Sequence, residues 1–224
     1  MIDIEPFWLT LKLATVTTII LFVIAVPFAN WLSQKKNNFK TVIEAIVSMP
    51  LVLPPSVLGF YLLLAFSPSQ SFGKFLEQYF DVRLVFSFPG LVIASVIYSL
   101  PFMMFPLQSG FTGLSPALRE ASYSLGKTKW QTLVRVVLPN IKPSLLSGIV
   151  LTFAHTIGEF GVVLMIGGNI PGETKVASIA VYDEVESMNY TSANAYSMIL
   201  CFATFIILLT LYFINHRFDR RKEL

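Results

Sequence analysis

Two titratable side chains lie inside an otherwise apolar run of this sequence, and their spacing could support several kinds of chemistry. Glu159 follows His155 by four residues, so a helix would place both on one face. Such a pair could act as general acid and base, supply two metal ligands, or form a mutual hydrogen bond. No third ligand and no nucleophile accompanies them at a suitable spacing. The pattern therefore favours mutual hydrogen bonding, with no catalytic residue and no metal site.

Glu159 is the strongest functional candidate in the chain. A carboxylate about two turns inside an apolar run is costly, so a role in function is the default hypothesis. Three roles remain open: bonding to backbone donors freed at the glycine-flanked break, orienting a gate, or pairing across a dimer. Direct contact with an anion is disfavoured because like charges repel. Gly158, Gly161 and Thr156 are further gate or pathway candidates beside it.

Prolines interrupt three of the apolar runs, and each removes a backbone donor and favours a kink. Kinked helices could line a cavity that opens and closes, or the kinks could be ordinary packing irregularities. Both interpretations remain open. Pro54 and Pro55, followed by Ser56, are the candidates for lining such a pathway. The five prolines are Pro27, Pro54, Pro55, Pro101 and Pro106.

Membrane-spanning helices must position these residues. The chain has 224 residues, of which 54% are hydrophobic and 13% charged, whereas a soluble domain carries about 25% charged residues. Spanning a bilayer as a helix takes about 20 apolar residues, and five runs qualify. They cover approximately residues 13–31, 45–66, 88–110, 144–166 and 195–214. The sequence therefore predicts an all-α integral membrane protein with five transmembrane helices.

Basic residues are concentrated in alternate connections between these runs. Twelve of the 16 Lys and Arg residues lie in the first and third connections and in the C-terminal tail. The positive-inside rule then places these segments in the cytoplasm and the N-terminus outside. The twelve are Lys35, Lys36, Lys40, Arg119, Lys127, Lys129, Arg135, Lys142, Arg217, Arg220, Arg221 and Lys222.

The predicted cytoplasmic loop, residues 115–139, has the pattern of two short amphipathic helices. Ser115 and Pro116 are typical of a helix start, and Gly126 allows a turn. Pro139 and Pro143 should end the second helix before the fourth span begins. The pair could form a rigid knob, or it could lie on the membrane and bind anionic lipid. Apolar residues recur at helical spacing in the first helix: Leu114, Leu118, Ala121 and Leu125.

The same loop contains Gly126-Lys127-Thr128, the end of a phosphate-binding loop pattern. The first glycine of that pattern is missing, because Ala121 occupies its position. The pattern also requires a preceding strand, whereas an amphipathic helix precedes it here. We therefore expect no nucleotide site and no enzymatic activity in this chain.

The loop resembles the coupling motif of permease subunits of type I binding-protein-dependent ABC importers. That motif reads Glu-Ala-Ala, three residues, Gly, nine residues, Ile-x-Leu-Pro. Ser122 replaces an alanine here, and Val136 replaces the isoleucine. The resemblance implies that the loop docks on a separate ATPase, which drives alternating access. The implied coupling residues are Glu120, Ala121, Ser122, Gly126, Leu138 and Pro139.

Two further segments resemble the permease subunits of molybdate and tungstate importers. They are residues 49–61 and the element Gly158-Glu159-Phe160-Gly161 with the segment 167–174 that follows it. The second element also occurs, less closely, in sulfate importers. A transported oxyanion needs weak, distributed donors, because it must also leave. Hydroxyls and backbone amides near Ser56, Thr152 and Thr156 could supply them.

The resemblance implies a complete architecture for the chain. Residues 7–213 would form an ABC transmembrane type-1 domain in the bacterial inner membrane, and residues 215–224 a basic cytoplasmic tail. The implied partners are a second copy of the chain, two ATPase subunits and an extracytoplasmic molybdate-binding protein, with molybdate as the transported substrate. No cofactor and no nucleic acid is implied.

Three alternatives remain open at this point. An importer of sulfate or another oxyanion would share the same architecture. An intramembrane enzyme would use Glu159 and His155 as its acid and base, but it leaves the loop unexplained. A membrane scaffold without transport activity would recruit no ATPase.

Overall fold

The computed structural model describes the backbone of residues 3–35 and 37–220, with side chains through residue 214. This part of the chain is helical and contains no strand, so the predicted all-α class is confirmed. The predicted cytoplasmic residues Lys36, Arg221 and Lys222 lie outside the described residues. In chain order the elements are α1 (Glu5–Ser33), α2 (Asn38–Val52), α3 (Pro55–Phe66), α4 (Ser71–Phe80), α5 (Phe88–Thr112), α6 (Pro116–Ser124), α7 (Lys129–Thr132), a π-helical turn (Leu133–Val137), α8 (Leu138–Asn140), α9 (Lys142–Gly158), α10 (Gly161–Gly167), α11 (Ala177–Glu186) and α12 (Tyr190–Arg220).

Three of these helices, α1, α5 and α12, are long and apolar enough to cross a membrane alone. Each extends beyond the apolar run that predicted it, because polar residues continue or cap its ends. Ser87, for example, caps α5 by accepting a hydrogen bond from the Gly90 N–H at 3.3 Å. Five crossings result only if each of two bent helix pairs counts as one span.

The second predicted span, 45–66, is not one helix. It divides into the end of α2 and the whole of α3, whose axes differ by 109°. Leu53 and Pro54 between them have extended backbones, with ψ of 138° and 134°. The cause is the Pro54-Pro55 pair, since a residue before proline avoids helical backbone and proline itself has no N–H.

The fourth predicted span, 144–166, is broken as well. Helix α9 ends at Gly158, Glu159 is extended (φ −73°, ψ 134°), and α10 begins at Gly161. At its other end, α9 is bent by 81° from the helical stretch Lys129–Asn140. Pro139 lies within that stretch, which ends one residue later at Asn140, between Pro139 and Pro143.

The core is built from α1, α5 and α9, which pack on one another along their lengths. Their fully buried side chains include Leu21, Met103 and Leu107. The same cluster takes in Val137 and Ile141, so the helix pair before α9 is anchored in the core. Helix α12 is peripheral, because 6% of its apolar window is buried against 56% for α5.

Candidate functional site

A cavity of about 630 Å³ lies at the break between α9 and α10. Five of the predicted gate or pathway residues line it, although they are about 100 positions apart in the sequence: Pro55, Ser56, Gly158, Glu159 and Gly161. Tyr98, Ala154, His155 and Phe160 complete its wall. Pro54 is exposed beside the cavity and is absent from its wall. The broken helices therefore line an open cavity, and Pro55 is the one of the five prolines in its wall.

Glu159 joins the two halves of the broken helix. Its Oε1 accepts hydrogen bonds from the N–H groups of Val162 at 2.8 Å and Val163 at 3.2 Å. These N–H groups belong to the first turn of α10 and have no partner within the helix. Three roles were open for Glu159, and bonding to freed backbone donors is the one for which the structure shows the hydrogen bonds.

The rest of Glu159 is also fixed by its surroundings. Its backbone oxygen accepts a hydrogen bond of 2.6 Å from the Ser178 hydroxyl of α11. The side chain is only 5% exposed, and its Oε2 has no partner among the described residues. Glu159 thus connects α9, α10 and α11, and its Oε2 is buried without a partner among the described residues.

The predicted hydrogen bond between His155 and Glu159 is wrong. The His155 Nδ1 instead lies 3.0 Å from the Ser99 hydroxyl of α5, and its ring stacks on Phe102 with centroids 3.8 Å apart. The prediction assumed that a helix continues from one residue to the other. Because α9 ends at Gly158, the four-residue spacing does not bring the two side chains together.

Thr156 faces away from the cavity. Its hydroxyl donates to the Thr152 carbonyl at 2.9 Å and lies 3.1 Å from the Ser99 hydroxyl, in the buried contact of α5 with α9. The structure therefore removes Thr156 and Thr152 from the cavity wall. It adds Tyr98, which no sequence pattern indicates, since a tyrosine in an apolar span has no distinguishing pattern.

Helices α3 and α10 approach closely beside the cavity. A Cβ atom built on Gly161 would lie 2.6 Å from the Pro55 Cβ, and one on Gly59 would lie 2.8 Å from the Met165 Cβ. Neither position has room for a side chain. Gly158 differs, because a Cβ there meets no atom within 4 Å.

The loop 115–139 forms the predicted pair of short helices. Gly126 ends α6 in a left-handed conformation (φ +73°), its N–H bonds to the Tyr123 carbonyl at 2.9 Å, and the Lys127 N–H bonds to the Ser122 carbonyl at 3.1 Å. This is the Schellman arrangement, which favours glycine at the left-handed position. Ser115 stands before α6, but its side chain makes no capping hydrogen bond.

The contacts of Ser122 explain why a serine stands where the coupling motif has an alanine. Its hydroxyl lies 2.8 Å from that of Thr132, and both side chains are buried. A reciprocal capping box between Thr128 and Gln131 opens the second helix. The serine therefore bonds one short helix to the other, so the pair is a rigid unit.

The apolar face of α6 points outward, away from the protein. Glu120 and Ala121 are exposed, Pro139 is exposed and Leu138 is half-buried. Within the helix pair, the most exposed large apolar side chains are Leu125 (78%) and Trp130 (69%), joined by Leu118, Tyr123 and Val134. A surface of this kind, with charged residues beside it, is typical of a contact with another molecule.

Behind this surface, the helix pair is tied to the transmembrane core. Arg119 donates a hydrogen bond of 2.9 Å to the Asn30 side chain of α1. Leu133 and Val137, on the inner side of the second helix, are buried in the cluster formed by α1 and α5. A displacement of the pair would therefore be transmitted to the transmembrane helices.

Comparison with known proteins agrees with this arrangement. A family model described as the inner membrane component of binding-protein-dependent transport systems matches residues 21–224, nearly the whole chain. The chain belongs to this family. It is therefore a transport permease, and the broken transmembrane helices and the tethered helix pair are parts of that permease.

Individual relatives cover almost all of the permease. The molybdenum transport system permease protein ModB of Azotobacter vinelandii is 43% identical over 94% of this chain and 93% of its own length. The sulfate transport system permease protein CysT of Escherichia coli K12 is 31% identical over 97% of this chain and 78% of its own.

A solved structure shares the fold. The crystal structure of a bacterial ABC transporter that imports the acidic polysaccharide alginate superposes with a TM-score of 0.76. It covers 96% of this chain and 79% of its own, at 19% identity. At this identity the likeness shows the fold alone.

Proposed function

We propose that this permease carries molybdate, and tungstate as its close chemical analogue, inward across the bacterial inner membrane. The observation that carries the proposal is the 43% identity to a molybdenum transport permease over nearly the full length of both chains. The identity to the sulfate permease is lower, at 31%. The segments that resemble molybdate permeases are also those that build the cavity, namely Pro55-Ser56 and Gly158–Gly161.

The energy comes from a separate ATPase that docks on the helix pair 115–139. Glu120, Ala121, Ser122, Gly126, Leu138 and Pro139 are the proposed coupling residues. The exposed Leu125 and Trp130 provide apolar contact area for the ATPase. Closure of an ATPase dimer would push on this rigid pair, and the Arg119–Asn30 hydrogen bond and the buried Val137 would pass the movement to α1 and α5.

The working unit contains two copies of the permease, two ATPase subunits and an extracytoplasmic binding protein that supplies the anion. The sequence has no internal repeat, so a two-fold pathway requires a second copy. The cavity at the α9–α10 break is the proposed part of the pathway within each copy. Residues 7–213 form the proposed transmembrane domain, with the N-terminus outside and residues 215–224 in the cytoplasm.

A sulfate importer is the second candidate. It is favoured by the identity to CysT across 97% of this chain. Both anions are tetrahedral and doubly charged, so the same cavity could pass either one. Selectivity would then lie mainly in the binding protein.

The deciding experiment is ATP-dependent uptake of molybdate into proteoliposomes that contain the permease, its ATPase and its binding protein. We expect uptake that persists in a hundredfold excess of sulfate and stops when ATP or the binding protein is omitted. Uptake abolished by sulfate would replace the proposal with the sulfate importer. No uptake of either anion by the assembled complex would contradict both.

A further inference from the structure

A chain of hydrogen bonds behind the cavity fixes the state of the His155 ring. Thr156 donates its hydroxyl proton to the Thr152 carbonyl at 2.9 Å. Its oxygen can therefore only accept from the Ser99 hydroxyl, which lies 3.1 Å away. Ser99 has no second proton, so at 3.0 Å it accepts from the His155 Nδ1, which must carry a hydrogen.

This assignment leaves Nε2 as the polar atom that His155 presents to the cavity. Nδ1 is turned to Ser99, which is fully buried, while the histidine lines the cavity wall. The Nε2 atom has no hydrogen-bond partner among the described residues. In the neutral ring it is an acceptor, and only protonation of the ring converts it into a donor.

Two aromatic rings surround the His155 ring. Phe102 stacks on it with centroids 3.8 Å apart, and Tyr98 lies with its centroid 5.0 Å away. The faces of aromatic rings attract cations. The titratable groups on the cavity wall besides His155 are Tyr98 from α5 and Glu159 at the break, and α3 contributes only Pro55 and Ser56.

We propose that His155 is an anion-binding residue that takes up a proton together with the transported oxyanion. The imidazolium donates its Nε2–H to an oxygen of the anion, while Nδ1–H stays on Ser99. The hydroxyls of Ser56 and Tyr98, on the facing walls, are the neutral donors. The proton comes from water as the anion enters and returns to water as it leaves.

The proposal rests on the proposed transport of an oxyanion, and it accounts for a difficulty in that function. Glu159 alone would repel a doubly charged anion from the cavity. An imidazolium that exists mainly while the anion is bound offsets this repulsion and disappears afterwards, so the anion is not trapped. By linkage, an anion that enters together with one proton should bind up to tenfold more weakly for each unit by which the pH rises.

Histidine-selective ¹⁵N NMR of the permease in lipid bilayers tests this directly. The chain has two histidines, so in the variant His216→Gln all histidine signals come from His155. Without anion at pH 8 we expect a neutral ring with hydrogen on Nδ1, and with saturating molybdate or sulfate at pH 6.5 an imidazolium. A hydrogen on Nε2 in the neutral ring, or a ring unaffected by either anion, would overturn the proposal.

A matched variant tests the hydrogen-bond chain itself. Thr156→Val removes the acceptor of the Ser99 proton, so Ser99 should donate to Nδ1 and the neutral ring should move its hydrogen to Nε2. Thr210→Val is the matched control, because the Thr210 hydroxyl also donates to a carbonyl of its own helix, that of Ile206, at 2.7 Å. Thr210 lies in α12, which contributes no residue to the cavity wall. This control should leave the His155 signals unchanged. An unchanged tautomer in Thr156→Val would refute the proposed chain.

Uptake measurements test the functional part. Wild-type uptake should fall as pH rises from 6 to 8.5, His155→Arg should be flat across that range, and His155→Gln should lose at least tenfold at pH 6. The proposal would be overturned if uptake by His155→Gln had the same pH dependence as uptake by the wild type. If the wild type transports neither anion, the proposed function fails on its own, and the NMR titration still decides whether His155 binds an oxyanion with a proton.

Discussion

At the scale of single residues, Glu159 holds together two helices whose ends would otherwise leave backbone donors unpaired. Glu159→Gln keeps an oxygen that can accept from Val162 and Val163, whereas Glu159→Ala does not. Hydrogen bonds to a charged acceptor contribute about 1.5–3 kcal/mol. We expect a markedly lower melting temperature for the alanine variant and a small change for the glutamine variant, measured by thermal unfolding in detergent.

The contradicting result for Glu159 would be equal destabilisation by both substitutions. Equal loss would mean that the negative charge, and not the hydrogen bonds to α10, is what stabilises the break. Glu159→Asp is a useful further control, because its shorter side chain keeps the charge but reaches the α10 donors less well.

Substitution of glycine by alanine should lower the melting temperature at Gly161 but not at Gly158, although the two lie only three residues apart. Gly161→Ala would place its Cβ 2.6 Å from the ring carbon of Pro55, so α3 and α10 would have to separate. Overpacking of this kind costs about 1–3 kcal/mol. Gly158→Ala meets no atom within 4 Å and should leave the melting temperature nearly unchanged. Unfolding curves that rank the two variants the other way would show that α3 does not pack on α10 as described.

The residue scale also shows the limits of sequence reasoning. Glu159 was recognisable because a carboxylate in an apolar run is conspicuous. Its partner was predicted wrongly, because the spacing to His155 has meaning only within an unbroken helix. Tyr98 was missed altogether, since its place in the cavity depends on the packing of α5 against α9.

At the scale of elements, the Schellman turn at Gly126 sets the angle between the two short helices of residues 115–139, which we propose couple the permease to its ATPase. Its φ of +73° is unfavourable for residues with a Cβ, and most of all for β-branched ones. Gly126→Asn should retain most coupling, because asparagine tolerates the left-handed region, whereas Gly126→Val should lose most of it. The measurement is substrate-stimulated ATP hydrolysis by the reconstituted complex, with membrane insertion of each variant checked separately.

A Gly126→Val complex with wild-type stimulated hydrolysis would contradict the coupling role of this turn. Space is not the issue, since a Cβ at Gly126 meets no atom within 4 Å. A defect would therefore reflect the backbone conformation and the resulting helix orientation, and not a steric clash at the site of substitution.

Elements were predictable where local chemistry and tertiary structure agree. The paired helices of the loop followed from Pro116 and Gly126, and α5 followed from a long apolar run that its two prolines do not break. The two broken spans were not recognised, because apolar content sets where a chain can cross a membrane but not whether it does so in one piece. Pro54-Pro55 was a visible signal for the first break. The second break, with Glu159 bonding to α10, was one of three interpretations left open, because flanking glycines allow a break without requiring one.

At the scale of the whole molecule, the exposed apolar surface of the loop 115–139, which we propose contacts the ATPase, is connected to the cavity through the packed core. The exposed Leu125 and Trp130 stand at one end, Val137 is buried among α1 and α5 in the middle, and α5 carries Tyr98 into the cavity wall. Helix α9 begins next to the coupling helices and ends at the cavity. Movement imposed at one end therefore reaches the other through packed helices, without a flexible linker.

A cytoplasmic ATPase can act on the helix pair 115–139 only if this pair faces the cytoplasm, and the distribution of basic residues predicts that it does. Cys201 is the single cysteine, so Cys201→Ser gives a background in which Ser69→Cys and Lys127→Cys can be introduced separately. Both positions are exposed, the first between α3 and α4 and the second between α6 and α7. A membrane-impermeant maleimide should label Ser69→Cys in intact spheroplasts and Lys127→Cys only in inverted vesicles. The reverse pattern would place the coupling helices outside, where no ATP is available, and would exclude an importer driven by a cytoplasmic ATPase.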